Sequence, residues 1–369
     1  MLDRRDFLKQ AGCASACGLL LASAAVGLPS PAQAASGALR MPDEGARHAA
    51  TWMAFGAPPA IWGQRLSVAA RGHLAGIACA IAAFEPVKML VPQADYEQAA
   101  RLCGGRVELI VQPLDDLWLR DTGPAFARGA DGKLVGVDFN FNGWGGKQAH
   151  AEDARVAAAV CRLAGAPRLA SRLVLEGGGI EVDGAGTAII TESCVLNANR
   201  NPGVGKVACE AELKRALGID KVIWLPGIAG RDITDGHTDF YARFIRPGVV
   251  VAGLDTDPAS YDHAVTQRHL RLLRQATDAA GRKLEVIALE GPGSVRPRFE
   301  NRGFAAGYIN FYVCNGAVIA PQFGDAEADA NCRAILREQF PGREVVQLDI
   351  DAIAAGGGGI HCATQQQPA

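Results

Sequence analysis

Residues 179–196 read Gly-Ile-Glu-Val-Asp-Gly-Ala-Gly-Thr-Ala-Ile-Ile-Thr-Glu-Ser-Cys-Val-Leu. Two short apolar runs hinge on Asp183-Gly184, which predicts a β-hairpin. The same arrangement returns at 124–141 around Asp131-Gly132, at 240–254 around Pro247-Gly248 and at 309–323 around Asn315-Gly316. An opening run at 52–55 is a poorer match. Helical periodicity follows at 64–84, 151–164, 207–217, 261–280 and 328–340, each segment rich in Ala, Leu, Arg or Glu. A strand then returns at 87–91, 169–175, 221–225, 284–289 and 344–348, with an added helix at 95–103 and strand at 107–111. The unit is strand, strand, helix, strand, repeated about five times with little identity between copies. The expected fold is α/β, a five-fold ring of mixed sheets.

Unusual polar residues cluster where strands of this pattern begin. The segments are Trp118-Leu119-Arg120-Asp121-Thr122-Gly123-Pro124, Leu175-Glu176-Gly177-Gly178-Gly179, Asp235-Gly236-His237-Thr238-Asp239 and Gly356-Gly357-Gly358-Gly359-Ile360-His361-Cys362. In a ring of repeated units, homologous ends surround one axis, where a pocket forms. That pocket would hold a thiol, an imidazole and carboxylates beside glycines that permit close approach. Such a set suits a cationic, planar electrophile: two carboxylates hold a guanidinium by forked hydrogen bonds and leave one face of its carbon open. A thiolate beside an imidazolium and a bound cation is ionised by both, so Cys362 is the candidate nucleophile. The imidazole would give a proton to departing ammonia and take one from the hydrolytic water.

Plainer readings apply to the neighbours of these residues. In a strand, His361 would alternate away from Cys362 and pack or hydrogen-bond elsewhere. Arg120 reads as structural. The glycine run at 356–359 lacks a following Lys-Ser/Thr or helix, which excludes a phosphate loop.

The chain has 369 residues and a formal net charge of −2, with no basic footprint for nucleic acid and no acidic tail. A small soluble substrate fits better. Residues 1–34 are expected to be an export signal: Arg4-Arg5 and Phe7-Leu8-Lys9 precede an apolar stretch and a cleavage site at Ala32-Gln33-Ala34. Paired arginines in this setting resemble a twin-arginine signal, which implies export of folded protein to the periplasm or beyond, with no membrane anchoring after cleavage. Of ten cysteines, Cys13 and Cys17 would leave with the signal. Most of the remaining eight read as buried thiols, and no Cys-x-x-Cys pair or zinc spacing suggests a metal. Disulfide pairing and homo-oligomer formation stay open.

With 197–202 (Asn-Ala-Asn-Arg-Asn-Pro), 308–312 (Tyr-Ile-Asn-Phe-Tyr), 321–325 (Pro-Gln-Phe-Gly-Asp), 340–343 (Phe-Pro-Gly-Arg) and 360–368 (Ile-His-Cys-Ala-Thr-Gln-Gln-Gln-Pro), these segments resemble the agmatine deiminase family. This family is related to the bacterial-type peptidylarginine deiminases. Similarity runs over residues 41–369, a single catalytic domain. The resemblance implies a five-bladed α/β propeller of ββαβ units, the pentein fold, and hydrolysis of agmatine to N-carbamoylputrescine and ammonia without metal or cofactor. It implies Cys362 as nucleophile through a covalent thiouronium, His237 as acid and base, and Asp121 and Asp239 as the guanidinium-binding pair. Glu176 would orient the imidazole and contact the substrate, and Trp118 would form an aromatic wall.

Asp232 and Asp235 beside His237, with Asp115 and Asp116 ahead of Trp118, favour an amine at the far end of the substrate; Asp235 is expected to bind it. Arg231 is the contrary sign. Two departures stand out: Gly359 where the family has Asn before Ile-His-Cys, and Phe240 where it has Asn after His-x-Asp. The rival readings are deimination of free arginine or peptidyl-arginine, and non-catalytic periplasmic binding of guanidino compounds.

Overall fold

Local signals set most of the element boundaries in the computed structural model, which describes residues 38–369. The export signal expected at 1–34 lies outside the described residues. The chain runs through β1 (His48–Ala54), α1 (Pro59–Ile81), β2 (Val87–Val91), α2 (Tyr96–Cys103) and β3 (Glu108–Val111). It continues through β4 (Ala125–Arg128), β5 (Leu134–Asp138), α3 (Val156–Leu163), β6 (Arg168–Ala170), β7 (Ile180–Val182), β8 (Thr187–Thr191), α4 (Lys206–Leu217) and β9 (Lys221–Leu225). After these come β10 (Ala242–Arg246), β11 (Val249–Leu254), α5 (His263–Gln275), β12 (Glu285–Glu290), β13 (Tyr312–Cys314), β14 (Ala317–Gln322), α6 (Ala326–Gln339), β15 (Glu344–Asp349) and β16 (Thr364–Pro368). On α1 the buried residues Ala70, Leu74, Ile77, Ala78 and Ile81 recur at helical spacing, one apolar stripe against the core. Gly218 stops α4 in the left-handed region at φ 70°, where its N–H reaches the last turn.

Five small mixed sheets result. In four of them a hairpin is followed by a helix and a third strand parallel to the second: β4-β5-β6, β7-β8-β9, β10-β11-β12 and β13-β14-β15. Middle strands are largely buried, as their composition requires; every residue of β8 is inside. First strands are sheet edges, β4 meeting only a single bridge from Arg40 on its outer side, yet β7 and β13 are wholly buried. Their open edges are covered by neighbouring units, β10 packing on β7 and β16 on β4.

The remaining sheet, β16-β1-β2-β3, explains the weak hairpin signal at 52–55. The antiparallel partner of β1 is the C-terminal strand, with Trp52 opposite Gln365 and Met53 opposite Thr364. The two ends of the described chain therefore build one unit together. The strand expected at 169–175 is shorter, ending at Ala170. Beyond it the backbone leaves the sheet, with Asn140 Nδ2 donating to the carbonyls of Ser171 and Leu173 and Asn201 Nδ2 to that of Val174, on the way to Glu176.

A buried charge network crosses the units. Arg243, 1 % exposed, donates through Nε to Glu181 Oε2 and through Nη2 to Glu44 Oε1, each at 2.8 Å, and through Nη1 to the Phe311 carbonyl at 2.7 Å. Arg120 Nη2 donates to Glu44 Oε2 at 3.0 Å and Nη1 to Gln366 at 2.7 Å. Arg120 is structural, as expected, with its guanidinium held by Glu44 and Gln366. Loss of one member of such a pair leaves an uncompensated buried charge, a cost of about 3–5 kcal/mol.

Candidate active site

The segments singled out in the sequence meet through side chains. Asp121 lies in a helical turn, Leu119–Thr122, that leads into β4, and Glu176 precedes the 3-10 turn Gly177–Gly179 that leads into β7. His237 precedes the turn Thr238–Phe240 that leads into β10, and Cys362 stands two residues before β16. The Arg120 N–H donates to the Cys362 carbonyl at 3.1 Å, and the Gly178 N–H to Asp121 Oδ1 at 3.1 Å. His237 Nε2 lies 3.2 Å from Glu176 Oε2, and its Nδ1 lies 3.7 Å from Asp121 Oδ1. Cys362 Sγ is 3.5 Å from Asp239 Oδ2.

Glycines make this density achievable. A Cβ on Gly178 would stand 2.6 Å from His237 Nδ1, 2.9 Å from Asp121 Oδ1 and 3.1 Å from Asp239 Oδ2. In the run before Cys362, a Cβ on Gly356 would meet the Trp62 ring at 2.1 Å, one on Gly358 the Trp118 ring at 2.2 Å, and one on Gly359 Asn310 Oδ1 at 2.4 Å. The run is glycine because aromatic walls and an amide press against its backbone.

Electrostatics follow from burial. Burial favours neutral His237, yet the Asp121 and Glu176 carboxylates outweigh it and hold the imidazole pKa well above its ordinary value. Burial, helped by Asp239 and Glu176, lifts Asp121 to about 6 against the opposing pull of His237. Glu176 and Asp239 are held below the usual range despite burial, the first by His237 and Arg200, the second chiefly by His361. Burial and the Asp239 and Asp121 charges push the Cys362 thiol well up. Asp239 Oδ1, fully buried, has no hydrogen-bond partner among the described residues; the other two such atoms, Asp183 Oδ2 and His269 Nδ1, belong to residues outside the cavity lining.

A cavity of about 860 Å³ opens over Cys362, Asp121, His237 and Trp118. Trp62 lies beside Trp118, ring centroids 5.8 Å apart, and Trp144 donates to Asp121 Oδ2 at 2.9 Å. Phe240 lines the same space with its ring near Gly307, where a Cβ would meet it at 2.8 Å. Farther out the lining carries Asp232, Asp255, Asp257 and Asp262 against Arg231 and Arg302.

Three sequence expectations need correction. Asp235 is absent from the cavity lining: it is 2 % exposed, and its oxygens are taken by Lys147 at 2.7 Å, Arg200 at 2.9 Å, Asn199 and the Gly230 N–H. Despite burial, these partners hold it at about 2. Glu176 also stands behind the wall, both oxygens engaged by Arg200 Nε at 2.8 and 3.0 Å, so it faces the imidazole and not the cavity. His361 is in a turn, where strand alternation does not apply, and its Nδ1 lies 2.7 Å from Asp239 Oδ2 while Nε2 lies 2.9 Å from Glu44. It hydrogen-bonds as expected, but to a site carboxylate.

Sequence reasoning also passed over Glu44, Arg200 and Asn310. Asn310 was detectable, because it precedes β13 at the fifth of the repeated strand starts. Among the described residues Glu176, Cys194 and His237 could group three metal-ligand atoms within 4.8 Å. The Arg200 guanidinium already occupies both Glu176 oxygens, and a metal ion there would meet that cation.

Comparison with known proteins places the chain in a family. Residues 40–368 match the family model described as Porphyromonas-type peptidyl-arginine deiminase. Agmatine deiminases of Ectopseudomonas mendocina and Pseudomonas aeruginosa are 40% and 39% identical, each alignment covering 89% of this chain and 95% of the relative. The chain belongs to the agmatine deiminase family. The solved agmatine deiminase of Enterococcus faecalis superposes with a TM-score of 0.84 at 32% identity, over 90% of this chain and 96% of that one. The matched family model spans nearly all of the described chain, including every strand start that meets at Cys362.

Proposed function

We propose that the protein is a hydrolytic guanidine deiminase acting on agmatine, with the five sheets arranged as blades about one axis through Cys362. The observation that carries this reading is Asp239 Oδ1, a fully buried carboxylate oxygen with no hydrogen-bond partner among the described residues; Asp239 is itself outside the cavity lining, but its Oδ2 lies 3.5 Å from Sγ of Cys362, the only thiol among the described residues that lines the cavity. An orphaned buried acceptor of this kind calls for a donor from the substrate. A guanidinium bridging Asp239 and Asp121 supplies N–H groups to both and removes the two charges that keep Cys362 protonated. The thiol then ionises, its proton passing to solvent.

The thiolate attacks the central carbon, forming a C–S bond. Imidazolium His237, oriented by Glu176, protonates one nitrogen, and the C–N bond breaks to release ammonia and leave the thiouronium. Neutral His237 next takes a proton from water as the hydroxide adds to the same carbon. Collapse breaks the C–S bond and releases the ureido product, and the proton lost from that product restores the thiol.

Acids prevail over bases in the outer cavity, which favours a substrate ending in an amine over one ending in an α-carboxylate. A carboxylate among Asp232, Asp255, Asp257 and Asp262 is desolvated against like charge. The kcat/KM for agmatine should exceed that for free arginine by at least about a hundredfold. Ammonia release measured on agmatine, arginine and an arginine-containing peptide tests this, and comparable rates would remove the agmatine assignment while leaving the chemistry.

We also propose that residues 1–34 direct export of the folded protein by the twin-arginine route. The support is Arg4-Arg5 ahead of an apolar stretch and Ala32-Gln33-Ala34. No helix among the described residues is long and apolar enough to cross a membrane.

A further inference from the structure

Asn310 occupies the one strand start to which the chemistry above gives no role. It is wholly buried, two residues before β13, and its side chain grips Cys362 twice. Nδ2 donates to Cys362 Sγ at 3.3 Å, and Oδ1 accepts the Cys362 N–H at 3.3 Å. The Asn310 carbonyl accepts the His361 N–H at 3.2 Å, which fixes the same turn. Gly359 leaves the room for this contact, since a Cβ there would lie 2.4 Å from Asn310 Oδ1. Gly359 is not among the glycines with positive φ, so space and not backbone conformation excludes a side chain.

We propose that Asn310 is a catalytic residue that stabilises the thiolate of Cys362 by hydrogen bonding, and that Gly359 is what lets it reach the sulfur. The proposal rests on the reading of Cys362 as nucleophile. Among the described residues two side chains stand within hydrogen-bonding distance of Sγ: Asp239 repels a thiolate, and Asn310 holds one. A donor to an ionised acceptor is stronger than a donor to its neutral form, so this contact favours ionisation. Because the amide is uncharged, it does so without competing with the guanidinium for Asp121 and Asp239. It also keeps the sulfur fixed when the tetrahedral adduct formed from the thiouronium and hydroxide collapses and the negative charge returns.

The test is the pH dependence of Cys362 alkylation by iodoacetamide in the full protein, read by mass spectrometry on the Cys362 peptide so that the other thiols do not interfere. In Asn310→Ala the midpoint should move up by about one pH unit, with labelling near neutrality about tenfold slower. The kcat for agmatine should fall while KM changes little. Gly359→Ala, which keeps the amide but displaces it, should shift the midpoint in the same direction; if Asn310→Ala does not fold, this variant decides alone. An unchanged midpoint in a folded Asn310→Ala overturns the proposal, since a purely structural role would lower the unfolding temperature without moving the titration. Turnover surviving in Cys362→Ser is a separate failure, that of the nucleophile itself.

Discussion

A buried thiol between two carboxylates is inert until a cation arrives, and this sets the behaviour of single residues. Asp121 is lifted to about 6 by burial and by Asp239 and Glu176, so below that pH it carries a proton, which on the proposed mechanism opposes guanidinium binding. Bound guanidinium favours the ionised form and draws the pKa back down in the complex. The kcat/KM for agmatine should therefore fall about tenfold per pH unit below about 6, while kcat changes less. A pH profile in which kcat/KM is level from pH 7 to 5 would contradict this account of Asp121. At this scale the sequence was legible where a residue is out of character for its surroundings: a Cys after four glycines, or a His between Gly236 and Thr238. It was not legible for Glu44 and Arg200, whose roles exist only through distant partners such as Arg243 and Glu176. Asp235 was misassigned because nearness in sequence to His237 does not tell which way a carboxylate turns.

Short turns do the positioning at the level of elements. The 3-10 turn Gly177–Gly179 packs its middle residue against His237, Asp121 and Asp239 and also donates the Gly178 N–H to Asp121. Gly178→Ala forces a methyl group into that junction, where contacts at 2.6 and 2.9 Å require the imidazole or the carboxylate to move. Such overpacking costs about 1–3 kcal/mol of stability, and a misplacement of about 1 Å at a reacting group costs on the order of a hundredfold in rate. Steady-state kinetics beside thermal unfolding should show a folded protein with kcat reduced about a hundredfold; parent-like kcat would mean the turn does not set the geometry. The ββαβ repeats were readable because hairpin turns and helical periodicity are local signals. The β1–β16 pairing was not, because it joins residues as far apart as Trp52 and Gln367, which share a side-chain hydrogen bond at 2.9 Å.

For the whole molecule, Glu44, Arg120, Glu181, Arg243 and His361 bind the sheets to one another beneath the site, so the acid that faces the thiol is held by the closure of the fold itself. A site assembled from five sheets exists only after the chain has folded, and the export route proposed for residues 1–34 is one that carries folded proteins. Replacing Arg4 and Arg5 by lysine should retain the protein in the cytoplasm, as read by fractionation; unchanged periplasmic protein would refute the twin-arginine assignment. The account as a whole stands on covalent catalysis by one cysteine among the eight free thiols of the described residues. Its most direct test is ammonia release from agmatine by the purified protein and by Cys362→Ser, with agmatine binding measured on both. The account predicts steady release by the parent protein, and a variant that still binds agmatine but turns over slower by several orders of magnitude. Ammonia release by Cys362→Ser at near the parent rate would contradict it.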